Sequence, residues 1–412
     1  MKTVIKTTAA IILATLISSN ALATPSAIGG DFNLQDFYKP YTLNEITPQN
    51  MQSWPYYKHV SANWDEYVQT TTEQIDAAKT PVTLEQGNSF NLNGTFTENK
   101  TYIQSLVDTQ TKGLVILKDN QVLAEFYDNG FGVNDTNLLQ SASKTLAAVV
   151  THKLMDDGLI GAEDKVSKIL PDFAGTTIGE ATVQQVLDMT SGASTILDFH
   201  TPGSNGYQWE IEIGLKAGKS IGHTQAIKDA VKSAKPGEAW NYSDKNTDTL
   251  ALISEKVSGK KFSTLLSELS SNFGANHSGS IAITNEGNAS PSYGISLTTR
   301  DYALFHQWIA QGKAPKSYYG SVLDANKNQI TTTNEIAAQL MPGVSYGSQT
   351  YFIAEDNVLY SSGSFGQIAF SDMETGVVVA MYQDWAVNAE PEKFSESRER
   401  AMKIIKELRA QK

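Results

Sequence analysis

Ser141 and Lys144 stand three residues apart in Ser141-Ala142-Ser143-Lys144, a spacing that puts both side chains on one face of a helix. A serine hydroxyl becomes a useful nucleophile when a base takes its proton. Lysine serves as that base if its pKa falls, which burial and a neighbouring cation achieve. Where such a pair opens a helix, the N-terminus adds a free backbone N–H and a positive dipole end, both suited to a developing oxyanion. The chemistry is that of an activated serine.

A site of this kind needs an orienting group and a second oxyanion donor. Trp240-Asn241-Tyr242-Ser243-Asp244 offers Tyr242, since a phenol relays protons when a nearby cation stabilises its phenolate. Ser361-Ser362-Gly363-Ser364-Phe365-Gly366-Gln367 offers a small-residue strand edge that a substrate can approach closely, with a second N–H from Ser364. Two other serines compete. Ser258-Gly259-Lys260-Lys261 repeats the serine–lysine spacing, but in a Gly/Lys turn with no apolar stripe after it, and reads as solvated. Gly343-Val344-Ser345-Tyr346-Gly347 matches the nucleophile-elbow pattern, which needs a histidine later in the chain. All six histidines (His59, His152, His200, His223, His277, His306) precede Ser345. They are also scattered, so no metal or other cofactor is expected, and His152 reads as a packing residue.

The elements that must position these groups follow from periodicity. Leu139, Ala142, Leu146, Val149, Val150 and Leu154 recur at helical spacing and predict a helix over Leu138 to Leu159, with Gly158 suited to a left-handed stop. Gly113 to Tyr127 predicts a hairpin turning at Asp119-Asn120. Further helices are predicted at Trp64 to Lys79, Thr182 to Met189, 224–234, 246–257, 261–270, 299–312 and Glu392 to Leu408, with a long loop at 193–223. Strands are predicted at Thr350 to Ala354, Asn357 to Tyr360, Gln367 to Phe370 and Val377 to Tyr382. Strands at both ends and helices between predict an α+β fold: one antiparallel sheet built from both chain halves, flanked by helices, with an all-helical subdomain inserted. The cleft between sheet and subdomain is the natural place for a site.

Residues 1–23 read as a secretory leader: Lys2 and Lys6, an apolar run from Ala9 to Ile17, then Ala21-Leu22-Ala23. The run is too short for a membrane anchor, and the expected location is periplasmic or secreted, in a bacterium. There is no cysteine, so no disulfide or thiolate metal site. The net charge of −12, with no basic run, argues against nucleic acid and anionic membranes as partners. Residues 24–100 carry Pro40, Pro48, Pro55 and Pro81 with Trp54, Tyr56, Tyr57 and Trp64, and are expected to pack over a core domain of 101–412 without contributing chemistry.

In order, the hairpin GLVILKDNQVLAEFY, the SASK helix with KLMDDGLIGAEDKVSKILPDF, VQQVLDMTSG, PGEAWNYSDKNTDTLALISEKVSG and YGISLTTRDYALF resemble the serine β-lactamase and penicillin-binding-protein superfamily. They resemble its class C-like branch, with family VIII carboxylesterases and 6-aminohexanoate-dimer hydrolases. The resemblance spans most of residues 100–385. It implies a β-lactamase/transpeptidase-like fold and an acyl-enzyme on Ser141, with Lys144 as base and Tyr242 as second proton-transfer group. It also implies an oxyanion hole from the N–H groups of Ser141 and Ser364. Two positions depart from the pattern. Asp244 stands where the family often has Asn, and Ser361-Ser362-Gly363 stands for Lys-Thr-Gly, so the cation that holds a carboxylate is missing. The implied substrate is therefore a small ester or linear amide, contacted by Asp244, Ser361, Ser362 and Gly363 and by Phe199 or Tyr207 from the 196–207 loop. A β-lactamase or D,D-peptidase activity, and a non-catalytic penicillin-binding-like module, are the alternatives.

Overall fold

The computed structural model describes residues 42–87, 90–196, 198–199, 201–324, 330, 341 and 343–411. The predicted leader lies outside the described residues.

An eight-stranded sheet runs in the order Val344–Gly347, Thr350–Ile353, Val358–Gly363, Gln367–Asp372, Val378–Gln383, Thr111–Lys118, Gln121–Tyr127, Glu85–Gln86. It is antiparallel except for the edge pair of Glu85–Gln86 with Gln121–Tyr127. The two chain halves join where Val378 faces Leu117 and Met381 faces Leu114. The hairpin turns where expected, with Asp119 and Asn120 both at positive φ. Successive residues of Thr111–Lys118 face opposite ways. Leu114 and Ile116 pack with Ile404, Ile405 and Leu408 of the last helix, Pro391–Arg409. Val115 and Leu117 join Leu304 and Ile309 of the helix Thr299–Ala310 in the other core. With both faces covered, the near-continuous apolar runs of these strands are explained.

Beside it lies a four-stranded sheet in the order Thr71–Ile75, Gly279–Ile283, Ile295–Thr298, Thr136–Leu138. The predicted helix over Trp64 to Lys79 is corrected here. It stops at Tyr67, and Thr71–Ile75 is a strand, because its backbone finds a partner in Gly279–Ile283. The predicted loop at 193–223 is also corrected. It contains a helix, Asn205–Glu212, capped by Ser204 Oγ accepting from the Tyr207 N–H. The helices between residues 143 and 273 form the predicted helical part.

Candidate active site

The strand Thr136–Leu138 runs into a tight turn, Gln140–Ala142, and then the helix Ser143–Asp156. The predicted helix start at Leu138 is corrected: Ser141 sits on the turn, two residues before the helix begins at Ser143, with Gln140 at φ +52°. The predicted stripe is buried throughout, and Gly158 takes its left-handed stop at φ +75°. The helix is buried on nearly every side from Ser143 to His152, which fixes the turn that it follows.

Lys144 is 1% exposed. Its Nζ donates to Ser141 Oγ at 3.0 Å and to the Ser292 carbonyl at 2.5 Å, and lies 2.8 Å from Asp244 Oδ1. The Ser292 carbonyl is itself held in place. The Ser292 N–H donates to Asp248 Oδ1 at 2.9 Å, and Asp248 also binds His223 Nε2 at 2.9 Å. The expected fall in the lysine pKa is corrected by this geometry. Burial pushes it down, but Asp244, then Tyr242, more than offset that, and the net direction is upward. Among the described residues, no second cation touches it. Lys144 rests as an ammonium, donating to the serine rather than accepting from it.

Tyr242 follows a loop pinned by the Asn241 N–H donating to the Met189 carbonyl at 2.8 Å. Its ring meets Trp240 and Tyr346. Its hydroxyl hydrogen-bonds both Ser141 and Lys144, and Lys144 Nζ stands 4.9 Å from the ring centre. Burial raises its pKa, with Lys144 opposing, so it rests as a neutral phenol. Asp244 opens the helix Asp244–Ser258. The geometry thus joins Ser141, Lys144, Tyr242 and Asp244 in one cluster.

The strand Val358–Gly363 delivers the third segment. A Cβ on Gly363 would lie 2.2 Å from the Leu139 carbonyl and 3.1 Å from the Ala142 nitrogen. Glycine is required there because the strand end is pressed against the serine turn. Ser364 and Ser141 consequently line one cleft. Four predicted substrate contacts, Ser361, Ser362, Gly363 and Tyr207, are corrected, since none lines the cleft and Gly363 faces the serine turn. Ser361 points away from the cleft: its Oγ bonds Tyr302 Oη at 2.6 Å and His306 Nε2 at 2.8 Å inside the core. Tyr207 lies outside the cleft lining, under the Lys216 ammonium at 4.7 Å. Ser362 is half-buried and also outside the lining. Phe199 does line it, and Asp244 lines it while bound to Lys144.

The cleft walls also hold residues that the sequence did not single out. Ile196, Trp209, Ile213, Leu215 and Tyr293 supply hydrocarbon, and Glu210 supplies a second carboxyl. Burial pushes Glu210 up to about 7, against the pull of the Lys216 ammonium at 2.5 Å. Among the described residues, no lysine or arginine lines the cleft. The competing serines are elsewhere. Ser345 lies on an edge strand, and Ser258 Oγ donates to the Ser254 carbonyl at a helix end. His152 is packed between Ser317 and Ser348, and burial lowers its pKa to about 4. Among the described residues, no histidine–carboxylate group is arranged to hold a metal ion.

A model of the family "Beta-lactamase" matches residues 113–401, well over half of the chain. The chain belongs to the Beta-lactamase family. It is a hydrolase of that superfamily's serine enzymes. Its relatives in the family include the 6-aminohexanoate-dimer hydrolase of Paenarthrobacter ureafaciens, 28% identical over 68% of this chain and 74% of that protein. Protein flp of Staphylococcus aureus (strain COL) is 23% identical over 61% of this chain and 54% of its own length. A Bacillus anthracis structure assigned to the 6-aminohexanoate-dimer hydrolases superposes with a TM-score of 0.75, at 20% identity, over 90% of this chain and 99% of that one. The hydrolase EstCE1 superposes at 0.56 and 15% identity, over 73% of this chain and 96% of its own. Both show the β-lactamase/transpeptidase-like fold.

Proposed function

We propose that this family member hydrolyses a small ester or linear amide whose acyl part is apolar and carries no negative charge. One observation carries the reading. The walls around Ser141 hold much hydrocarbon and two carboxyl groups, Glu210 and Asp244, each paired with a lysine behind the lining, and among the described residues no lysine or arginine lines the cleft to receive a carboxylate. A carboxylate-bearing β-lactam or peptide terminus would face carboxyl groups that already hold the nearby lysines, whereas a neutral chain or one ending in an ammonium would be accommodated. The ammonium end of a 6-aminohexanoyl group has that character.

In the first step the Ser141 Oγ–carbon bond forms, and the carbonyl electrons move to the oxygen, facing the N–H groups of Ser141 and Ser364. The serine proton passes to Lys144. That requires Lys144 to have given up its own proton to solvent, a loss that the Asp244 carboxylate at 2.8 Å opposes. Collapse of the intermediate expels the alcohol or amine, which takes a proton from Tyr242, and Lys144 passes the serine proton on to the Tyr242 phenolate, restoring both groups. Water then attacks the acyl-enzyme by the same route and releases the acid.

The test compares p-nitrophenyl butyrate, the linear 6-aminohexanoate dimer and a chromogenic cephalosporin. The expected result is turnover of the first or both of the first two, lost in Ser141→Ala, with the cephalosporin the poorest. Faster cephalosporin turnover would overturn the substrate reading, and ester turnover that survives Ser141→Ala would overturn the site.

A further inference from the structure

Tyr57 carries the segment before residue 100 onto the catalytic turn. Tyr57, 2% exposed, lies on the short helix Tyr57–Val60. Its hydroxyl accepts from Gln140 Nε2 at 2.6 Å. Its ring stacks on Phe365, with centroids 3.8 Å apart and planes inclined by 26°. Gln140 immediately precedes Ser141, and Phe365 immediately follows Ser364. Both hold left-handed backbones, at φ +52° and +63°. Side chains larger than glycine avoid that region unless the surroundings hold them in it. One tyrosine therefore touches Gln140, whose carbonyl shares a peptide with the Ser141 N–H, and Phe365, whose turn holds Ser364 from its C-terminal side.

The helix beneath Tyr57 is anchored to the large sheet. Lys112 Nζ donates to Ser61 Oγ at 3.0 Å and to the Lys58 carbonyl at 3.5 Å, while pairing with Asp384 at 2.7 Å. Phe365 is tied in the same region, its N–H donating to the Asn388 carbonyl at 3.0 Å. The clamp has a rigid base.

We propose that Tyr57 is a positioning residue for the oxyanion hole: its hydroxyl holds the Gln140 turn and its ring holds the Phe365 turn, so that the two N–H groups converge. The inference rests on Ser141 being the nucleophile. It gives the early segment a part in the active site, where the sequence suggested only covering.

The probe is p-nitrophenyl butyrate, followed as turnover and as the infrared carbonyl stretch of the trapped acyl-enzyme. Tyr57→Phe keeps the stack and removes the hydroxyl. Gln140→Leu removes the same hydrogen bond from the other side. Each is expected to lower kcat about 10- to 100-fold with little change in KM. Each should also raise the acyl carbonyl frequency, because a mispositioned donor pair polarises the carbonyl less. The double variant should be no worse than either single one. A folded Tyr57→Phe enzyme with wild-type kcat and carbonyl frequency overturns the proposal. So does a loss of thermal stability with the frequency unmoved, which would make Tyr57 a packing residue alone. If the wild-type enzyme forms no acyl adduct on Ser141, the proposed function itself falls and this inference falls with it.

Discussion

Lys144 and Asp244 form the part of the site that the sequence described least well. A buried lysine was expected to be neutral, yet a carboxylate at 2.8 Å keeps it charged. Raising the pKa of a base that must be deprotonated places the working limb of activity at higher pH. Activity should rise with pH as Lys144 loses its proton. Asp244→Asn removes the anion that favours the ammonium, so the lysine pKa falls and the rising limb of kcat/KM should move to lower pH. A limb that stays put or moves up would show that Lys144 is not the titrating base. Tyr242→Phe should lower kcat by about 10²–10⁴-fold while the protein remains folded, checked by turnover and circular dichroism. The pairing was hidden for a plain reason. Asp244 is a hundred positions from Lys144 in the chain, and only the folded loop after Met189 brings them together.

At the scale of elements, those with local signals were legible and those with remote partners were not. The Asp119-Asn120 turn, the Gly158 stop and the buried stripe of Ser143–Asp156 stand as read, because each depends on neighbours a few residues away. Thr71–Ile75 was misread as helix because its strand partner, Gly279–Ile283, lies some two hundred positions on. The helix Asn205–Glu212 was missed although Ser204 is an ordinary cap, since little apolar periodicity accompanies it. Gly363 was read as admitting a substrate, but it is the serine turn, remote in sequence, that presses against it. Gly363→Ala should drive a methyl into the Leu139 carbonyl and lower stability by about 1–3 kcal/mol, measured by urea unfolding. It should also lose more activity than a stability change of that size explains, because the serine turn is what must move.

Over the whole molecule, the order of segments carried the family and fold, since that order survives where single motifs are weak. What it could not carry was the use made of residues before 100. The Lys112–Asp384 pair, with both side chains almost wholly buried, fastens that segment to the sheet through Ser61 and Lys58. Neither charge sits in a recognisable motif, and their partnership spans most of the chain. Lys112→Met leaves the Asp384 carboxylate buried without its cation and should destabilise by about 3–5 kcal/mol in urea unfolding. Lys112→Met combined with Asp384→Leu should cost less than the single change, because no lone charge is then left inside. Equal or greater loss in the double variant would contradict the assigned role of the pair.

The proposed chemistry stands or falls on Ser141 being the residue acylated. The most direct measurement is to label the protein with a fluorophosphonate and locate the adduct by peptide mass spectrometry. The account predicts one adduct, on Ser141, abolished by Ser141→Ala and slowed by Lys144→Ala. An adduct on Ser345 or Ser258, or none on protein shown to be folded, would contradict it.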